Sequence, residues 1–356
     1  MVTLAYAVVS AIVGLGVLVF IHEFGHFLVA KMSGVGVLTF SLGFGPKLLV
    51  KKVGETEYAL SALPLGGYVK MVGEDPEEDV KAVDIAKSFS HQGLAKRIAI
   101  VAAGPLSNLL LAVAIFFWAF TVYGVPVLTN EVGGVKPNFP AARAGIEKGD
   151  LIVSVDGRPI NNWQELAKRI QSSHGKALIF QVERDNRPIQ ITVQPMKKKG
   201  KSFFGEEIDI WVVGVTSSKA FFEKSSPSVA VGKAFYKTGE WSRITLIAIY
   251  KMIKGDVSRK SIGGPILIAQ VAGQQAQEGL RSFLMLIAVL SINLGVLNLL
   301  PVPVLDGGHL LFFVIELLLG RPVKLQVRER AQQVGLFVLI LVMVFASYND
   351  ISRFFE

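Results

Sequence analysis

The sequence predicts a polytopic α-helical membrane protein: four transmembrane helices, a small β-hairpin or sheet in the first connection, and an inserted α/β module. Three observations carry this reading. Of 356 residues, 51% are hydrophobic and 18% are charged, and the mean hydropathy is +0.48, whereas soluble domains average about 25% charged residues. Charge-free apolar runs of membrane-spanning length recur towards both ends. Between them, from Tyr123 to Arg281, the pattern changes to short alternating segments punctuated by turn residues.

The first span is expected at about Leu4 to Ala30, because no charged residue occurs from Met1 through Ile21. A retained helix is preferred to a secretory signal: no basic segment precedes the run, and it exceeds the usual apolar region of such signals. The second span runs from Ile98 to Thr121, with Lys96-Arg97 just before it, and the third from Phe283 to Leu305. A fourth, about Val334 to Ser347, needs its flanks to reach the roughly 20 residues a bilayer requires. The apolar run Leu310 to Leu319 is too short to span and is expected to lie within the protein near the interface.

Basic residues set the topology. Lys31, Lys47, Lys51, Lys52, Lys70, Lys81, Lys87, Lys96 and Arg97 follow the first span; Arg321, Lys324, Arg328 and Arg330 precede the fourth. Both groups belong on the cytoplasmic side, which leaves the termini and the long middle region outside. The formal net charge of +9 is thus assigned to topology and membrane lipid, not nucleic acid. Cysteine is absent, so any metal is held by nitrogen and oxygen.

Four regions follow: residues 1–123 and 281–356 as the halves of a membrane domain, 124–216 as the inserted module, and 217–280 as a connector. In the first connection, residues 35–72 alternate between turns at Gly43-Phe44-Gly45-Pro46 and Pro64-Leu65-Gly66-Gly67, which predicts a small sheet; Asp75 to Asp79 reads as loop. In the module, strands are expected at Val132–Val135, Leu151–Val155, Ala177–Glu183, Ile189–Val193 and Ile208–Thr216. A short helix opens at Pro140, a longer one covers Trp163–Ile170, and hairpins turn at Asp156-Gly157 and Asp185-Asn186. In the connector, Val229–Lys237 and Ile244–Ile253 are amphipathic, as helices on the membrane surface or as surface helices packed on the module.

Chemistry concentrates in two motifs. His22-Glu23-Phe24-Gly25-His26 is an HExxH pattern in the first span. Residues four apart share a helix face, so both imidazoles reach one metal, and Glu23 is placed to act as base toward a water activated there. The second is Asn298-Leu299-Leu300-Pro301-Val302-Pro303-Val304-Leu305-Asp306-Gly307-Gly308-His309. A catalytic zinc needs three protein ligands and one open position. His22, His26 and Asp306 supply three from the same predicted side of the membrane. His309 is left out to keep the position open, and His91 and His174 read as solvated. Charged and ionisable groups in such runs are costly and mark function. Asn298 reads from the sequence as a polar side chain that bonds a neighbouring helix. In Gly104-Pro105-Leu106-Ser107-Asn108, the small residues and Asn108 read first as helix packing, with contact to the metal site or to substrate as the alternative.

The stretch beginning Gly133-Gly134-Val135-Lys136-Pro137 and running through Ala144-Gly145-Ile146-Glu147-Lys148-Gly149-Asp150 resembles a PDZ domain, a fold that binds extended peptides by strand addition. The alternative is a plain α/β module packed on the membrane domain. HExxH in the first span, paired with the Asn298–Gly308 motif, resembles the site-2 protease family of intramembrane zinc metalloproteases. The PDZ-like insertion narrows the resemblance to the bacterial regulator of sigma-E protease group. It implies zinc (Zn2+) on His22, His26 and Asp306, Glu23 as catalytic base, and a multi-pass protein of the bacterial inner membrane. It implies cleavage of single-span proteins, such as a pre-trimmed anti-sigma factor or remnant signal peptides. It also implies substrate-handling roles for Gly43, Phe44, Gly45, Asn298 and Pro303. The best-known members carry two tandem PDZ domains, and one is found here. A non-catalytic PDZ scaffold would have no use for Glu23, and a metal transporter would want polar sites or repeats along a path. No Gly-x-Ser-x-Gly elbow supports a serine protease.

Overall fold

The first apolar run forms helix α1 (Leu4–Met32). Its buried residues, Ala7, Ala11, Gly14, Leu18, His22, Gly25 and His26 among them, recur every three or four positions as one narrow stripe of mostly small side chains. Val9, Val13, Val17 and Phe20 stay exposed. An apolar exterior with a small-residue packing stripe is what a helix in lipid needs. The computed structural model describes residues 4–74, 84–202, 206–218, 220–256, 263–353 and 355. The expected loop Asp75 to Asp79 lies outside them. The chain divides into two units: Met1–Trp118 with Val231–Tyr250 and Ile262–Glu356, and Ala119–Ala230 with Lys251–Ser261.

In the first unit, two long strands follow α1: β1 (Val37–Val53) and β2 (Thr56–Met71), which reverse at Gly54-Glu55. Gly43-Phe44-Gly45-Pro46 is not the hairpin turn expected; it lies inside β1, with Gly43 and Gly45 at φ 91° and 85°. The register shifts here, so the glycines make a bulge that bends the strand. Pro64 to Gly67 likewise lies inside β2. Folded back, the two strands give a four-segment sheet. Residues 37–42 pair with 67–71 on one side and 57–60 on the other, and 47–53 pair with 56–61. Val37, Phe40, Val69 and Met71 bury against Ala30 and Ile100. That core fixes segment 67–71 beside the HExxH turn. Helix α2 (Leu94–Val122) starts earlier than expected and takes Lys96 and Arg97 into its first turn.

The second unit holds β3 (Val125–Leu128), β4 (Val132–Val135), α3 (Pro140–Arg143), β5 (Leu151–Val155), β6 (Arg158–Pro159), α4 (Trp163–Ser172), β7 (Leu178–Arg184), β8 (Arg187–Val193), β9 (Met196–Lys201), β10 (Glu207–Val212), β11 (Val215–Ser217) and β12 (Ala220–Glu223). The main sheet runs β6-β5-β7-β8. Ile152, Val155, Phe180, Val182, Ile191 and Val193 bury against Leu166 and Ile170 of α4, alternating along β7 and β8 and offset in β5 by a register shift between Ile152 and Ser154. Asn162 caps α4 by accepting from the Glu165 amide at 3.0 Å. Asp156-Gly157 and Asp185-Asn186 have positive φ at both central positions, as two-residue hairpins require. The last expected strand, Ile208–Thr216, is two: β10 pairs with β9 and β11 with β4, separated at Gly214.

Asp150 is fully buried. Arg184 donates to its two oxygens at 2.7 and 2.9 Å, and the Glu147 amide donates at 2.9 Å. Burial alone would raise this carboxyl; the hydrogen bonds outweigh it and hold it below the ordinary Asp range. The folded value is depressed, so its contribution to stability is complete above the unfolded Asp pKa, about 3.9. It is lost as pH falls through the folded value. Asp150→Asn is expected to cost about 1.5–3 kcal/mol at neutral pH, the worth of hydrogen bonds to a charged group. The two proteins should converge on acidification, measured as thermal unfolding of this unit against pH.

Helix α5 (Pro227–Lys254) is one continuous helix where two segments were expected. The remaining helices belong to the first unit: α6 (Pro265–Glu278), α7 (Leu280–Asn298), α8 (Asp306–Leu319) and α9 (Leu325–Ser352). Among the described residues four helices are long and apolar enough to cross a membrane, namely α1, α2, α7 and α9. The fourth is therefore longer than its apolar core suggested. The third ends at Asn298, seven residues before the expected end, because the Pro301-Val302-Pro303 segment cannot continue a helix. Near its C-terminus α9 turns the buried Asp350 onto the start of α6, accepting from Gly264, Ile266 and Leu267 amides at 2.8, 2.9 and 3.1 Å. One carboxylate thus satisfies three amides that a helix start leaves without partners.

Candidate metal centre

On α1, His22 and His26 stand one turn apart, 8% and 9% exposed, with ring centroids 4.9 Å apart and planes at 85°. Asp306 comes from the first turn of α8, not from the end of a span, so a separate short helix delivers the third group. The turn 299–305 folds back tightly against that helix. A Cβ on Gly307 would fall 2.1 Å from the Leu300 carbonyl, and one on Gly308 2.4 Å from the Val302 carbonyl. The two glycines after Asp306 are there because the backbone leaves no room for side chains.

Three ligand atoms converge. Asp306 Oδ2 lies 3.1 Å from His22 Nε2 and 3.6 Å from His26 Nε2, and the two Nε2 atoms are 3.3 Å apart. Asp306 Oδ2 is buried and has no hydrogen-bond partner. A buried carboxylate oxygen aimed at two ring nitrogens fits a cation among them. The spacing fits zinc: tetrahedral ligands at about 2.0–2.2 Å from the ion stand about 3.3–3.6 Å apart. Among the described residues His22, His26 and Asp306 are the group so placed. His309 faces the same cavity but is not part of it, while His91 and His174 are exposed.

Helix α2 holds the histidines. It reaches α1 where both helices lack side chains: a Cβ on Gly25 would sit 2.4 Å from the Ala103 carbonyl, and one on Gly104 2.1 Å from His26 Nε2. Ser107 donates to the Ile21 carbonyl at 2.7 Å. His26 Nδ1–H donates to the Ile100 carbonyl at 2.9 Å, which leaves Nε2 free to ligate. Asn108 places Nδ2 3.2 Å from His22 Nδ1. Asn298, at the end of α7, places Nδ2 3.5 Å from His22 Nε2.

Glu23 faces a cavity of about 650 Å³. Beyond the motif residues its walls include Gly67 to Met71, Arg97, His309 and Arg328. Segment 67–71 comes within reach of Glu23 because Gly67 has no side chain; a Cβ there would lie 3.0 Å from Glu23 Cγ. Gly43, Phe44, Gly45 and Pro303 do not line the cavity; Phe44 stacks on Tyr68, which does. Sequence reasoning used Arg97 and Arg328 for topology alone. Arg97 makes a two-pronged bond to Glu316 at 2.5 and 3.2 Å and lies 5.0 Å from the Phe313 ring centroid, tying α2 to α8. The signal for segment 67–71 was the Gly66-Gly67 pair, a sign of close backbone approach.

Fold and site together define a polytopic membrane protein with an HExxH metallopeptidase centre. The chain belongs to peptidase family M50, the site-2 proteases: that family's model matches residues 10–342. It is a zinc metalloprotease of the site-2 type. A relative in Agrobacterium fabrum, provisionally named a zinc metalloprotease, is 36% identical over 97% of this chain and 95% of its own length. Regulator of sigma-E protease RseP of Escherichia coli is 31% identical over 99% of this chain and its own full length. Among solved structures, the PDZ domain of the SdrC-like protein from Listeria monocytogenes matches 27% of this chain and 90% of its own, at 24% identity and a TM-score of 0.19.

Proposed function

We propose that this protein hydrolyses peptide bonds inside the transmembrane segments of single-span membrane proteins. The observation that carries the reading is a base and two buried histidines on a helix of spanning length, met by the half-buried Asp306 of α8 and facing a cavity walled by a strand segment. Among the described residues, segment 67–71 pairs with β1 on one side only. We read its other edge, where the Val69 amide meets Glu23 and the Met71 amide donates to Glu74 at 2.9 Å, as the side that takes an unwound substrate as an added strand. Gly43, Phe44 and Gly45 bend the sheet that presents this edge, and Pro303 aims Asp306.

His22, His26 and Asp306 would hold zinc, and the bound ion would supply Lewis acidity towards a water and a peptide carbonyl. Glu23 takes the proton of the attacking water and returns it to the leaving nitrogen. Asn298, with Nδ2 3.5 Å from His22 Nε2, offers an amide N–H to a substrate carbonyl. Pre-trimmed anti-sigma factors and remnant signal peptides are the substrate class. The second unit, read as PDZ-like and outside the cell membrane's cytoplasmic face, screens them.

Purified protein in liposomes with a single-span reporter should cut within the apolar segment. A chelator should stop the reaction and added zinc restore it. Cleavage confined to the flanks, or unaffected by zinc removal, would sink the reading.

A further inference from the structure

Asn108 is fully buried, and its side chain meets His22 with a mismatch. Nδ2 lies 3.2 Å from His22 Nδ1, while Oδ1 is buried without a hydrogen-bond partner. A neutral imidazole carries one ring proton. For Nε2 to give its lone pair to a metal, that proton must sit on Nδ1. Two donors, Nδ1–H and Nδ2–H, would then face each other, and an acceptor would stay buried and unsatisfied, a cost of about 1–3 kcal/mol. Turning the carboxamide over gives Nδ1–H an acceptor and Oδ1 a donor, since nitrogen and oxygen exchange places within nearly the same volume.

We infer that Asn108 is a positioning residue: its Oδ1 accepts from His22 Nδ1–H and so presents His22 Nε2 to the metal. Loading the site selects this amide orientation. The opposite orientation belongs to the other tautomer, in which Nε2 carries the proton and has no lone pair for a metal. Helix α2 thereby fixes both histidines, His26 through the Ile100 carbonyl and His22 through Asn108. The backbone that carries this amide is held in place. Asn108 lies on the turn packed against α7, where Ser291 donates to its backbone carbonyl at 2.7 Å. The inference rests on the zinc reading and adds the role of one side chain that touches no substrate.

The test compares zinc affinity of full-length wild type, Asn108→Asp and Asn108→Leu in detergent, by competition with a chelator. Asp keeps an acceptor facing Nδ1–H; Leu keeps the volume and removes it. Asn108→Leu should bind zinc about 10–100-fold more weakly, the usual loss when an outer partner of a ligating histidine goes. Asn108→Asp should stay close to wild type, a rescue that a packing role would not produce. Equal affinity for wild type and Asn108→Leu, or equal loss in both variants, overturns the inference. A second measurement needs neither variant to fold. Zinc-loaded wild type with 15N-labelled histidine, His22 assigned by His22→Gln, should show Nδ1 protonated and Nε2 bound; the reverse overturns it. Wild type that binds no zinc would instead sink the zinc reading beneath it.

Discussion

Glu23→Gln is expected to retain zinc and lose about 10²–10⁴-fold in cleavage rate, the range that a positioned general base contributes. The substitution preserves shape and one oxygen but removes the capacity to take a proton. Glu23 is not among the three converging ligand atoms, so metal affinity should not change. Its neighbours should not move either: the Val69 amide that faces the carboxylate can donate to the Gln carbonyl as well. The loss should therefore fall on kcat with KM nearly unchanged, as for an interaction made only in the transition state. The check is single-turnover cleavage of the transmembrane reporter beside zinc content on the same preparation. A Gln variant that cuts within tenfold of wild type would remove Glu23 from the mechanism. One that loses zinc would move it from base to ligand support.

The histidine pair was legible because it depends on helix period alone. His22 and His26 share a face in any straight helix, and α1 is continuous through them. Asp306 was legible as a carboxylate after a charge-free run. The manner of its delivery was not. Two prolines announce a break, but they do not say that a second helix starts at the carboxylate itself. The sheet has the same asymmetry. Gly43 and Gly45 mark positions that need positive φ, and a turn and a bulge share that need. Only the pairing with β2 decides between them, and pairing is a long-range property. Strand β9 escaped notice because Met196 to Lys201 is mostly lysine. Its support comes from Lys197–Asp209 at 2.7 Å and Lys199–Glu207 at 3.2 Å across to β10, contacts that local patterning cannot register. Helix α5 was read as two because Lys and Arg interrupt its apolar face, and α6 was not read although Pro265 sits in its first turn.

Gly104→Ala is expected to abolish zinc loading at concentrations that saturate wild type, a loss of at least about 100-fold in affinity, beyond the usual cost of damage outside the ligands. The added methyl carbon would lie 2.1, 2.5 and 2.8 Å from Nε2, Cε1 and Cδ2 of His26. Contacts this short have to be relieved by movement. On the α1 side, Gly25 already sits against the Ala103 carbonyl, and Ser107 is bonded to the Ile21 carbonyl at 2.7 Å, so the helices resist separation. The imidazole is then the part that yields. To move, it must leave the Ile100 carbonyl and carry Nε2 out of reach of Asp306 Oδ2 and His22 Nε2. Two ligands remain where a catalytic zinc needs three. The folding cost is expected at about 1–3 kcal/mol for one methyl forced into a close-packed contact. A control separates the two. Gly232, on α5, has nothing within 4 Å of its would-be Cβ, so Gly232→Ala should leave zinc untouched and add about 1 kcal/mol through helix propensity. Zinc titration and thermal unfolding of both variants give the contrast. If Gly104→Ala loads zinc like wild type, α1 and α2 do not meet at the metal as closely as these distances require.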